Sequence, residues 1–133
     1  MLRSFLLLSF ILCLVSRSTQ AQNTVVRIDT LLVGTWKGSS ICQVKNSPCH
    51  DESVVYHISK KLGLDSFSVN ASKIVNGAED EMGILPFFYN EKTKQFSSTA
   101  YGTWTFNLEG NKLEGTLYVR GELYRKIKLF KIY

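Results

Sequence analysis

The sequence predicts an all-β domain, most simply an eight-stranded antiparallel up-and-down barrel, with a two-sheet β-sandwich as the alternative. Apolar and polar residues alternate with period two along eight segments, as in strands with one buried face. The connections between these segments are short, which favours antiparallel neighbours, and no segment has a helical period. Eight such strands can close without a free edge, whereas a sandwich usually needs longer crossover connections.

The first 21 residues have the features of a cleaved secretory signal. Arg3 precedes an apolar run over residues 5–15, and the small residue Ala21 marks the expected cleavage point. The run is shorter than the ~20 residues that span a bilayer, so we expect no stable membrane insertion. The sequence therefore predicts an exported protein, periplasmic or extracellular.

The mature chain is predicted to be an N-terminal arm, residues 22–33, followed by one barrel domain, residues 34–133. The arm is polar over most of its length and has little to bury. The whole chain carries 16 Lys and Arg against 11 Asp and Glu, and Arg3 and Arg17 fall within the predicted signal. The remaining basic residues are scattered and form no stripe with interleaved aromatics, so we expect no nucleic-acid partner.

Turn residues separate the eight predicted strands. Pro86 cannot donate a ladder hydrogen bond, so we expect a bulge, a bend or an edge at this point of the fourth strand. The predicted strands cover residues 34–41, 53–60, 66–75, 79–89, 95–100, 104–108, 112–119 and 123–129.

The dipeptide Asn76-Gly77 is the strongest hairpin signal in the chain, and a type I′ turn is expected there. This turn would pair Lys73 with Asp80, a complementary pair of charges. It would also place Val69 opposite Ile84, with both side chains on the apolar face.

Two further turns set the register of the last three strands. A two-residue turn at Gly110-Asn111 places Leu108 opposite Leu113 on the apolar face. For the next turn we predict a three-residue loop, residues 120–122, which pairs Val119 with Leu123. A shift of one residue would turn the whole apolar set outward.

Cys42 and Cys49 are predicted to form a disulfide, because an isolated pair of cysteines in an exported protein most simply does so. Closing this eight-residue loop contributes about 2.5 kcal/mol on the chain-entropy model. A metal site including His50, Asp51 and Glu52 is the less favoured alternative, because the spacing fits no zinc pattern. We therefore predict no metal and no cofactor.

The tripeptide Gly34-Thr35-Trp36 opens the first strand, and residues 102–104 repeat it. The first copy resembles the Gly-x-Trp signature of the calycins, the superfamily of lipocalins, fatty-acid-binding proteins and avidins. In that superfamily an Arg or Lys of the last strand packs over the Trp and closes one end of the barrel. The resemblance implies this role for Trp36 and Arg125, the charge between inward Leu123 and Ile127.

Large side chains on the predicted inner face could line a pocket or fill the interior, and the pattern leaves both open. The predicted lining residues are Tyr56, Phe67, Val69, Ile84, Phe88, Trp104, Phe106 and Leu117.

Two functions follow from these alternatives, and neither is enzymatic. By analogy with calycins, a hollow barrel would bind a small apolar or amphipathic ligand in its mouth. A packed barrel would instead bind a protein partner through its surface, as a protease-inhibitor-like module does, with the Cys42–Cys49 loop as the contact. No Ser/His/Asp set or pair of inward carboxylates indicates catalysis, so we expect no enzyme activity.

Overall fold

The computed structural model describes residues 27–63 and 65–133. The predicted signal and the start of the arm lie outside these ranges. Within them, no helix has the length and apolar character needed to cross a membrane. The elements are α1 (Ile28–Leu32), β1 (Gly34–Cys42), β2 (Glu52–Lys60), β3 (Ser66–Val75), β4 (Ala78–Asn90), β5 (Gln95–Ser98), β6 (Thr103–Glu109), β7 (Lys112–Val119) and β8 (Glu122–Lys131).

The eight strands form a closed antiparallel barrel in chain order, with β8 paired to β1. The prediction of a barrel is confirmed, and the sandwich is excluded. At the closing seam Gly38 lies opposite Leu129. A Cβ atom on Gly38 would collide with the backbone of Lys128, so β8 can approach β1 this closely only because residue 38 is glycine.

The loops lie at two ends of the barrel. The helix end carries α1 and the connections at residues 61–65, 91–94 and 110–111. The disulfide end carries the connections at residues 43–51, 76–77, 99–102 and 120–121.

The helix α1 makes the end of the arm part of the core. Ile28 and Leu32 are four residues apart and therefore lie on the same helix face. Leu32 is fully buried, and Ile28 packs against the core beside it. The sequence led us to expect an arm with little to bury. Residues 28–32 instead form a helix with one face buried against the core.

The Asn76-Gly77 hairpin has the predicted turn but not the predicted register along its whole length. Both turn residues have positive φ, 51° and 80°, as a type I′ turn requires. Lys73 pairs with Asp80 as predicted and Ser72 pairs with Glu81, but the register shifts beyond that pair and Met82 is left without a partner. The extra residue is a β-bulge, so beyond it every side chain of β4 faces the opposite way from the prediction.

Two predicted lining residues are therefore wrong. Ile84 and Phe88 lie on the outer face of β4, with 60% and 54% of their surface exposed. Leu85 and Phe87 point inward in their place and are buried. Val69 accordingly pairs with Leu85.

The β7–β8 turn also differs from the prediction. Arg120 and Gly121 form a two-residue loop, both with positive φ, and Val119 pairs with Glu122. A second bulge, at Tyr124, restores the inward face of β8 beyond the turn. The preceding turn is as predicted, with Leu108 opposite Leu113.

Candidate functional site

The interior of the barrel is occupied by aromatic rings. Phe87 and Phe96 have centroids 4.7 Å apart, and Phe67 meets Phe96 edge to face at 5.5 Å. Phe106 lies 6.0 Å from Phe87 and 6.4 Å from Tyr56. These separations are those of rings in direct contact.

The predicted lining residues fall into two groups. Six point inward and pack against one another and their neighbours in the core; Ile84 and Phe88 do not point inward. Sequence reasoning missed Phe96, which the alternation of β5 could have indicated. The inward position of Phe87 depends on the bulge at Met82. The six inward residues are Tyr56, Phe67, Val69, Trp104, Phe106 and Leu117.

Open hollows lie on the outside of the barrel, and two of them adjoin the β1–β8 seam and the helix end. One, of about 510 Å³, is a groove over the outer faces of β1, β7 and β8, with Ile41 and Lys126 in its lining. The other, of about 1050 Å³, lies at the helix end between α1 and the β2–β3 loop. Both are accessible from solvent, so any contact that they make is a surface contact.

The helix end is closed around Trp36, which is fully buried. Its indole N–H donates a 2.8 Å hydrogen bond to the carbonyl oxygen of Leu32 in α1. The Nζ atom of Lys131 lies 5.9 Å from the ring centroid and donates to the carbonyl oxygens of Thr30 and Leu31, at 3.0 and 3.1 Å. One cation therefore ties the indole, the helix and the last strand together.

The predicted closing pair of Trp36 and Arg125 is wrong. Trp36 lies opposite Lys131 in the β1–β8 ladder, whereas Arg125 lies opposite Cys42. These positions are six residues apart along β1, or roughly 20 Å at 3.3 Å per residue. Lys131 holds the place expected for Arg125.

Arg125 belongs instead to a polar cluster at the disulfide end. Its Nη1 atom donates to the carbonyl oxygen of His50 at 2.9 Å and to the hydroxyl of Ser40 at 3.2 Å. A carboxylate oxygen of Glu52 lies 3.6 Å away. We call Ser40, Glu52, Tyr56 and Arg125 the mouth cluster. Sequence reasoning missed Glu52, although it shares the inward parity of Tyr56 on β2.

Burial in the mouth cluster raises the pKa of Tyr56 well above its ordinary value. The positive charge of Arg125 lowers that pKa and the negative charge of Glu52 raises it, but both effects are smaller than the effect of burial. The phenol is therefore neutral at every physiological pH.

This shift predicts an alkaline loss of stability that depends on one residue. An unfolded tyrosine ionises near pH 10, while folded Tyr56 keeps its proton, so raising the pH above 10 favours unfolding by up to about 1.4 kcal/mol per pH unit. Urea unfolding at about pH 9 and pH 11 should show a larger loss for the wild type than for Tyr56→Phe. Equal losses would contradict the assignment.

The disulfide end is fixed by the predicted bond between Cys42 and Cys49, whose Cα atoms are 5.8 Å apart. The backbone N–H of Cys42 donates to the carboxylate of Asp51 at 2.9 Å, and Arg125 bonds the carbonyl of His50. The loop is therefore held at three points. In the two described ranges, no group of three or more His, Cys, Asp or Glu side chains is placed to hold a metal ion.

Removing the disulfide should cost stability without unfolding the barrel. We expect the double variant Cys42→Ser, Cys49→Ser to lose about 2–3 kcal/mol, because the reduced chain regains the entropy of the open loop. Urea unfolding measures the loss. Wild-type protein treated with a reductant is the control and should match the variant; a loss below about 0.5 kcal/mol in both would contradict this estimate.

The repeated tripeptide covers the other end of the barrel. Trp104 donates from its indole N–H to the carbonyl oxygen of Ala100 at 2.8 Å, four residues back, as Trp36 does to Leu32. Trp104 also packs against Phe87 from the disulfide end. Each end of the interior is therefore covered by a tryptophan.

A second polar cluster lies on the outer face. His57 makes a 2.6 Å contact through Nε2 with Glu79, and its Nδ1 lies 3.2 Å from the hydroxyl of Thr35. In the strand ladders, His57 of β2 pairs with Asn70 of β3, and Glu79 of β4 pairs with Ile74 of β3. Asn70 and Ile74 are four residues apart. In a flat sheet the Cα atoms of His57 and Glu79 would be roughly 16 Å apart, farther than the side chains reach. The tip of the β3–β4 hairpin therefore curls outward over β2.

These features define the class of the fold. The eight strands form a closed up-and-down barrel whose first strand begins with Gly-x-Trp. A cation of the last strand lies over this Trp and closes that end of the barrel. This combination is a calycin-like fold.

Comparisons with known proteins add no family to this class. No protein-family model and no curated protein matches the chain. The chain is similar to a solved structure of the siderocalin Ex-FABP, described as functioning through dual ligand specificities. The identity is 14%, the match covers 77% of this chain and 70% of that one, and the TM-score is 0.42.

Proposed function

We propose that this chain is an exported binding protein with a packed barrel, which binds a protein partner through its outer surface. The observation that carries the proposal is the aromatic core: the rings of Tyr56, Phe67, Phe87, Phe96 and Phe106 are in mutual contact where a carrier would hold its ligand. A ligand of useful size could enter only by displacing several of these rings.

The disulfide end offers a surface suited to such binding. The Cys42–Cys49 loop is held at both ends and by Arg125, so little conformational entropy is lost when it is contacted. Tyr101 projects from the 99–102 connection at the same end of the barrel, with 89% of its surface exposed. Exposed tyrosines are frequent anchors in protein interfaces. Export is supported by the disulfide, and the proposal assigns no catalytic step.

A second candidate is a small amphipathic ligand held at the mouth rather than deep inside. Among the described residues, the hydrogen bonds of Arg125 all come from Nη1, and its side chain is 12% exposed. The remaining guanidinium donors could bind a carboxylate at the rim. This candidate keeps the calycin analogy but needs only a shallow site.

Native mass spectrometry of mature protein, recovered from a secreting cell without detergent or organic solvent, separates the two candidates. The packed barrel should give the mass of the polypeptide alone, less two hydrogens for the disulfide. A reproducible additional mass, lost on denaturation, would overturn the proposal in favour of the small ligand.

A further inference from the structure

The barrel wall has an open edge on β4. This strand runs from Ala78 to Asn90, but β5 pairs only with residues 88–90. Among the residues that the structure describes, none forms a strand pair with positions 78–87 on the side facing β5. Backbone groups of this stretch that point toward β5 are therefore available to another strand.

The length of β5 explains why this edge is open. β5 ends at Ser98, one residue beyond the Ser97 that pairs with Phe88, so most of β4 before Phe88 has no β5 residue beside it. Gly83 lies in the middle of the opened stretch, and a Cβ atom placed on it would meet no described atom within 4 Å, so the face of the strand at this position is also uncovered.

The side chains of the edge indicate what kind of strand fits. Residues 79–81 are all acidic and exposed, in a chain whose overall charge is positive. Two of the three have a partner: Glu79 contacts His57, and Asp80 lies 4.0 Å from Lys73. Met82 and Ile84 follow, with 47% and 60% of their surface exposed. A strand with basic residues opposite the acidic stretch and apolar residues beside Ile84 matches this surface.

The same features disfavour a second copy of the chain. Acidic side chains, a bulge and a proline are the devices that natural proteins use against pairing between identical edges. β4 has all three, at residues 79–81, 82 and 86. Of the three, the acidic side chains discriminate between partners, because they repel an identical edge and attract a basic strand.

We infer that the edge of β4 between Ala78 and Leu85 binds an extended, basic segment of a partner protein by strand addition. Backbone hydrogen bonds would supply most of the affinity, and the acidic residues would select the partner. This inference rests on the proposed function and names the kind of partner that the outer surface takes.

The test uses the mature protein and two synthetic seven-residue peptides, one alternating Lys and Val and one alternating Glu and Val. Hydrogen exchange read by NMR should show the lysine peptide slowing edge-facing amides within residues 78–85 by about tenfold or more. The glutamate peptide should leave them unchanged. Added salt should weaken the effect.

A pair of matched variants tests the selectivity. Glu81→Lys reverses a charge at the edge, and Glu91→Lys makes the same change at the helix end. We expect Glu81→Lys to weaken binding of the lysine peptide about fivefold, and Glu91→Lys to leave it unchanged. Both residues are exposed, so both variants should fold.

Four results would overturn the inference. Two of them concern the peptides: no protection by the lysine peptide at millimolar concentration, or equal protection by both peptides. The other two concern the protein without peptide: a dimer in sedimentation in which the same amides are protected, or protection of these amides that disappears when residues 22–26 are deleted. The mass of the mature protein tests the packed interior separately, so failure here leaves the proposed function standing.

Discussion

Replacing Trp36 with alanine is expected to lower the free energy of unfolding by about 3–5 kcal/mol, the usual cost of removing a buried aromatic side chain. Trp36 is fully buried, bonds Leu32 and carries Lys131 above its ring. The substitution therefore removes core contacts and also releases α1 from the end of the barrel. Urea unfolding of the mature protein measures the loss.

The same end provides a test of which cation closes it. In a Trp104→Phe background, Trp36 is the only tryptophan in the chain. We expect Lys131→Met to shift its fluorescence emission, because a charge over the ring is lost, and Arg125→Met to leave the emission unchanged. A shift with Arg125→Met and none with Lys131→Met would restore the pairing predicted from the sequence.

Replacing Phe106 with alanine should be about as costly, about 3–5 kcal/mol, because it leaves a cavity in the aromatic core. Phe106 is buried and contacts the rings of Tyr56 and Phe87. It also packs on Gly115, where a Cβ atom would collide with its ring. Neighbouring strands therefore cannot easily collapse into the space.

Phe130→Ala is the matched control for this prediction. Phe130 lies on the outer face of β8 with 47% of its surface exposed, so its loss should cost only about 1 kcal/mol, well below the loss at Phe106. Equal effects of the two substitutions in urea unfolding would mean that Phe106 is not part of a packed interior.

Most of the architecture could be predicted because alternation and turn chemistry are local properties of the chain. The Asn76-Gly77 and Gly110-Asn111 turns have the predicted positions, and the strand boundaries agree with the prediction to within a few residues. The cysteine pair and its bond were also accessible from composition alone.

The errors come from two bulges, which period-two reasoning does not see. One extra residue at Met82 turned Ile84 and Phe88 outward, and one at Tyr124 allowed a shorter turn than the pattern required. Gly83 is a local signal for the first bulge, because its φ of 152° favours glycine, whereas the residues around Tyr124 carry no comparable signal.

The candidate site was less predictable than the fold because it depends on register across the seam. Arg125 and Lys131 both lie on β8 and both carry a charge. Only the pairing of β8 with β1 decides which of them reaches Trp36, and that pairing joins residues almost 100 positions apart in sequence. For the same reason Glu52 was not recognised as a partner of Arg125.

Xenon binding followed by NMR tests the packed interior most directly, because xenon enters dry apolar cavities that no larger probe reports. The wild-type protein should show no saturable change in the methyl signals of Val69 and Leu117, both buried inside the barrel. Phe106→Ala, if folded, should show saturable changes there. Saturable xenon binding in the wild-type interior would contradict the packed barrel and favour an internal ligand.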